Sequence, residues 1–253
     1  MNALAPRTPY RRALSAVYEG QLARARVARV PLLFVACLQS IGLLVLLRGV
    51  VDDARVSEKQ QIVSGAVVLV IAFVALNLLA QRLGHLRANG GLAYYAALGT
   101  PPSAVVLGTA ASYATFALPG TVVTAVTGAL LYDLPLAGLW VLLPVAVLGG
   151  AALAGVGAAL GLLAPKPEVA TVLGQLGMTL VLFLGLVRPA RMPVPLRPLL
   201  AAVPSTYAVN ALREAFATHP RYGVLAANLA VCAAVGVVAL ALAGAAFRRA
   251  VGR

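Results

Sequence analysis

Six long apolar runs, separated by short stretches rich in charge, proline or glycine, constrain this chain more than any other feature. A helix needs about 20 apolar residues to cross the hydrocarbon core of a bilayer. Inside lipid only a helix or a closed barrel satisfies its own backbone. The runs predict spans over residues 31–47, 62–80, 103–131, 139–164, 169–187 and 223–247. Arg48 closes the first and Gln81-Arg82 the second; Pro119-Gly120 predicts a kink in the third, and the fourth is glycine-rich and carries Pro144. The expected fold class is all-α: a polytopic membrane protein of six transmembrane helices, preceded by an N-terminal amphipathic interfacial helix.

That helix is read from residues 1–30, the remainder (31–253) being the membrane domain. Thr8-Pro9 supplies an N-cap followed by proline at the first helical position. Leu14, Val17, Tyr18, Leu22 and Ala25 then recur at helical spacing, with Arg12, Ser15, Glu19 and Arg26 on the other face. Such a helix suits the interface plane before the chain turns in at Pro31. The first thirty residues hold six arginines and no short apolar core with a small-residue cleavage site, so no removable signal peptide is expected.

Charge sets the orientation. Twenty Lys and Arg against seven Asp and Glu give +13, which in a soluble domain points to nucleic acid. Here the cations sit between apolar runs, aromatics are sparse, and the expectation is headgroup contact with no nucleic-acid partner. Six spans put both termini on one side. Placing them inside leaves twelve basic residues cytoplasmic and eight outside, which favours cytoplasmic termini.

Catalytic chemistry is not expected. The spans hold no ionisable residue away from their ends, and Asp133 lies in a short loop. Proton- and ion-coupled carriers need such groups at membrane depth. His85 and His219 fall in different loops, and Cys37 and Cys232 lie in apolar runs without further ligands, so no metal site is expected. A phosphate loop needs Gly-Lys-Ser/Thr, but Lys59 and Lys166 are followed by Gln60 and Pro167. Nor do H-E-x-x-H or G-x-S-x-G occur. The chain is therefore expected to be no enzyme and to bind no cofactor. Polar span residues Gln39, Asn77, Ser112, Thr115 and Gln175 are candidates for a substrate path, against the plainer role of bonding helix to helix. Gly157 and Gly161 form a G-x-x-x-G pair, read as internal packing first and a dimer seam second.

Two segments carry more than connector chemistry. Residues 81–103 read QRLGHLRANGGLAYYAALGTPPS: Leu92, Tyr95 and Leu98 stand at helical spacing between Gly90-Gly91 and Pro101-Pro102. This predicts a short amphipathic helix punctuated at both ends. After the fifth run, residues 188–198 are proline-rich, and PSTYAVNALR over 204–213 follows, with Val209, Leu212 and Phe216 on one face beside Arg213 and Glu214. That pattern predicts a short re-entrant or interfacial helix.

In order and spacing the two segments resemble the cytoplasmic loop and the outer segment of ABC type-2 exporter permeases, and the whole layout is similar to that family. Ala93 stands where the family often has an acidic residue, and Arg82 lacks the neighbouring glutamate. The resemblance implies the membrane subunit of a bacterial ATP-driven exporter in the inner membrane. It would pair with a second permease chain, identical or similar, and with two copies of an ATP-binding subunit that hold ATP and Mg. Gly91, Leu92, Tyr94, Tyr95, Leu98 and Pro101, in the coupling loop 81–102, would rest on those subunits. Pro204, Tyr207, Asn210 and Arg213, in the outer segment 188–222, would form a gate. The cargo is open, with an amphipathic, drug-like or lipid-like molecule favoured. The alternatives are a stand-alone channel or secondary transporter, or a non-transporting membrane anchor or immunity protein.

Overall fold

In the computed structural model the described residues are 9–24, 29–51, 55–186 and 203–251. They contain helices and no strand. The order is α1 Tyr10–Arg24, α2 Arg29–Val51, α3 Val56–Ala88, α4 Gly91–Ala97, α5 Pro102–Leu131, α6 Leu142–Leu163, α7 Pro167–Leu186, α8 Pro204–Ala215 and α9 Tyr222–Val251. A 3₁₀ turn, Leu139–Val141, leads into α6. Five helices are long and apolar enough to cross a membrane: α3, α5, α6 with its leading turn, α7 and α9. The first expected span falls on α2, whose described apolar stretch Phe34–Gly49 is shorter than that. The expected Thr8 cap and the proline-rich segment 188–198 lie outside the described residues.

The centre of the bundle is α3. Between Ile62 and Ala80 it is apolar except for Ser64 and Asn77, and Val63, Val67, Leu69, Ile71, Leu79 and Leu83 are all buried. A helix that is hydrophobic all round suits either lipid or the interior of a bundle; here the packing decides, because α5, α6, α7 and α8 all lie on it. Its middle, Phe73–Leu78, is π-helical. Bulges of this kind displace a helix's register and concentrate at functional places.

Small residues set the spacing. In lipid, helix association rests on close van der Waals packing more than on hydrophobic transfer. A Cβ at Gly157 or Gly161 would collide with the carbonyl of Leu76 or of Ala80 respectively, so the G-x-x-x-G pair seats α6 on α3. On another side of α6, a Cβ at Gly155 would come 2.5 Å from that of Ala239 in α9. The pair is thus an internal seam.

Two short helices mark opposite ends of the bundle. At one end α4 packs against α3, α5 and α9. At the other, α8 slopes inward: Gln60, near the start of α3, donates to the Phe216 carbonyl at 2.8 Å, while the Pro204 carbonyl lies 3.9 Å from Cys232 Sγ within α9. A Cβ at Gly149 of α6 would lie 3.1 Å from that of Ala208, so the middle of α8 reaches well below the start of α6. Val209, Leu212 and Phe216, the predicted apolar face, are all buried.

Candidate functional site

The α4 corner is built by backbone chemistry. Gly90 and Gly99 have φ of +70° and +65°, a region that glycine occupies without strain, and they turn the chain before and after the helix. Pro101 is extended and Pro102 starts α5 at N1, where its missing N–H costs nothing. Leu92 is buried and Tyr95 half-buried against the core. Tyr94 projects outward at 63% exposure, its ring edge-on to that of Tyr95 with centroids 5.8 Å apart. Leu98 departs from the expected stripe and is 49% exposed. The reason is local: α4 ends at Ala97, so Leu98 lies in the turn that Gly99 completes.

What bolts α4 to the bundle is a residue that belongs to neither of the two faces expected of α1. Gln21 is buried, and its amide donates to the Tyr95 hydroxyl at 3.3 Å while its oxygen accepts from Arg82 Nε at 3.3 Å. One side chain thus joins α1, α3 and α4. The signal available was positional: Ala13, Val17 and Gln21 follow at i, i+4 and i+8, and all three are buried. Leu14, Tyr18 and Leu22, assigned to the apolar face, lie half-buried beside that stripe. The stripe packs on α5, where a Cβ at Gly108 would sit 3.0 Å from Val17 and 3.1 Å from the Leu14 carbonyl. Farther along, the Tyr18 and Thr115 hydroxyls are 3.2 Å apart.

Arg87 completes this end. Its Nη1 donates to the carbonyls of Leu162 and Ala164, at 2.8 and 2.6 Å. A cation bonded to the last carbonyls of α6 satisfies orphan acceptors and complements the helix dipole.

The five candidate path residues do not form one site. Asn77, in the π-helical turn, donates to Gln175 Oε1 at 3.3 Å and accepts from Gln81 at 3.0 Å. Ser112 donates to the Thr109 carbonyl of its own helix at 2.7 Å. Gln39 is exposed on α2. Thr115 lines a groove of about 310 Å³ between α5, α6 and α9 whose other walls are apolar, among them Leu107, Leu118, Val147 and Leu240.

At the far end, Pro204 is buried and Tyr207, Asn210 and Arg213 are half-buried along α8. Neighbouring glutamines hold the surroundings: Gln61 donates to the Gly185 carbonyl at 2.6 Å, as Gln60 does to Phe216. In the last turn of α8 the carboxylate of Glu214 accepts from Arg221 Nη2 at 2.6 Å and from the Arg221 backbone N–H at 3.1 Å. The Arg221 side-chain bond holds the Glu214 carboxyl below its ordinary 4.5.

Among the described residues no three His, Cys, Asp or Glu side chains are placed to hold a metal. His85 and His219 are both exposed.

A family model described as "ABC-2 family transporter protein" matches residues 48–245, which covers α3 to α8 and most of α9. No curated protein matches the chain.

Proposed function

From the premise that the chain belongs to the ABC-2 transporter family, as a multi-pass membrane protein, we propose that it is the permease subunit of an ATP-driven exporter. In this reading α2 is a sixth span, the termini and α4 face the cytoplasm of a bacterial cell, and α8 lies at the outer side. Two ATP-binding subunits carry ATP and Mg, and a second permease chain completes the path. The chain itself supplies no catalysis.

The observation that carries the reading is the two-sided build of α4. Leu92 and Tyr95 anchor it inward, while Tyr94 and Leu98 present exposed apolar surface at the basic end of the bundle, the end that also holds Arg82, Arg87 and Arg249. An exposed aromatic flanked by an aliphatic side chain is the kind of anchor a partner pocket takes up. Closure of the ATP-binding subunits would push on Tyr94, and the Gln21 joint would pass that push to α1 and α3 together. With α3 at the centre of the bundle, its π-helical turn and the Asn77–Gln175 contact are where a shift would be absorbed. Two packings of one bundle biased by a ligand on another chain suffice for alternating access. Tyr207, Asn210 and Arg213 on α8 would form the outer gate. The cargo would be amphipathic or lipid-like, in keeping with the apolar groove beside Thr115.

The test is affinity purification of the chain from its native host in mild detergent. A co-purifying soluble subunit bearing a phosphate loop, with ATPase activity stimulated by the permease, is expected. A chain that comes out alone, from membranes in which a control complex survives, would end the exporter reading.

A further inference from the structure

At the basic end, a pocket of about 130 Å³ opens between α3, α6 and α9. Its walls have two chemistries. Arg87 and Arg249 supply two guanidinium groups; Leu162, Leu163, Ala246 and Ala250 supply the rest. Leu163 is 61% exposed, which makes the apolar wall continuous with the outward surface of α6. No acidic residue lines the pocket. The described acidic residues nearest this end in the chain order, Glu19 on α1 and Glu168 at the start of α7, belong to helices that contribute nothing to it.

Arg87 is held in place through Nη1 by two carbonyls, so its guanidinium is already oriented before any ligand arrives. Arg249 is exposed on the last turns of α9, one position from Arg248, which does not line the pocket. A fixed and an exposed guanidinium at the mouth of an apolar slot match an anionic phosphate attached to a hydrocarbon chain. Arginine suits phosphate oxygens through paired N–H donors, and basic pockets between helices at the membrane surface collect such headgroups. We propose that this pocket binds the phosphate headgroup of an anionic phospholipid from the adjoining leaflet, with an acyl chain running along Leu163. The site does not depend on the exporter reading, since it needs only the basic end of the bundle to face a headgroup layer.

The test uses the purified full chain in mild detergent, titrated with phosphatidylglycerol or phosphatidylcholine, with bound lipid counted by native mass spectrometry. Arg249→Gln is compared with Arg248→Gln, which removes the same charge one position away. Arg87 is left intact because it also caps α6. The expected result is preferential retention of phosphatidylglycerol, weakened about tenfold by Arg249→Gln, the loss of one charge-assisted contact, and little changed by Arg248→Gln. Equal retention of the two lipids, or equal losses in the two variants, would overturn the site. Inorganic phosphate displacing phosphatidylglycerol at equal concentration would overturn the lipid assignment in favour of a free phosphate.

Discussion

Gln21 Nε2 lies 3.3 Å from the hydroxyl of Tyr95, a contact between helices 74 positions apart in the chain. It ties α1 to α4 at the basic end of the bundle. Gln21 can bond two partners at once because an amide carries both donors and acceptors, and Arg82 takes the acceptor.

Replacing either partner should therefore loosen both joints. Gln21→Leu leaves a half-buried arginine short of an acceptor and should cost about 1–3 kcal/mol; Tyr95→Phe should cost less, about 1 kcal/mol. The double variant should fall short of the sum, since residues in one network are coupled. Thermal unfolding in detergent measures all three. In an assembled transporter the same changes should lower transport per ATP hydrolysed before they abolish insertion.

The seam between α3 and α6 makes a second prediction. Gly157→Val places a side chain against the Leu76 carbonyl, where backbone cannot give way; overpacking of this kind costs about 1–3 kcal/mol or more. Gly42→Val on the exposed side of α2, with nothing within 4 Å of a Cβ, should leave the melting temperature unchanged. Size-exclusion profiles after a heat step separate the two outcomes.

The layout of α3, α5, α6, α7 and α9 was legible because lipid demands long apolar stretches, and hydropathy reports that directly. Likewise α4 and α8 were legible from punctuation, glycines and prolines at their ends and a short apolar face between. Hydropathy is blind to which apolar side faces protein and which faces lipid, so the central burial of α3 could not be read from its residues. Gln175 and Asn77 were read as a possible path, but their meeting depends on the π-helical register of Phe73–Leu78. That segment packs against α6 and α7, and local periodicity does not encode its register. Leu98 was misplaced on the α4 stripe because the helix ends one residue earlier than the spacing implies. Gln21 escaped notice because a polar side chain on an amphipathic helix reads as solvated until its partners, remote in sequence, are known.

The Glu214–Arg221 pair predicts a pH dependence at the α8 end of the bundle. Glu214 has its pKa lowered in the folded chain, chiefly by the Arg221 side-chain bond. Its contribution is therefore fully present above the ordinary value of 4.5 and is lost as pH falls through the lower folded value. Arg221 stays charged throughout and adds no pH dependence of its own. Hydrogen exchange in the segment 214–222 should accelerate as pH drops below about 4.5, beyond the intrinsic trend. Glu214→Gln should remove that excess and show faster exchange at neutral pH, with α3 and α6 unaffected.

In the proposed exporter, α4 is the surface on which an ATP-binding subunit rests. The most direct test of that contact is a photo-crosslinking residue placed at Tyr94 in the native complex, with the same residue at Trp140, exposed at the far end of the bundle, as the comparison. Position 94 should capture an ATP-binding chain and position 140 should not. Capture from 140, or none from 94 in a complex that co-purifies intact, would contradict the account.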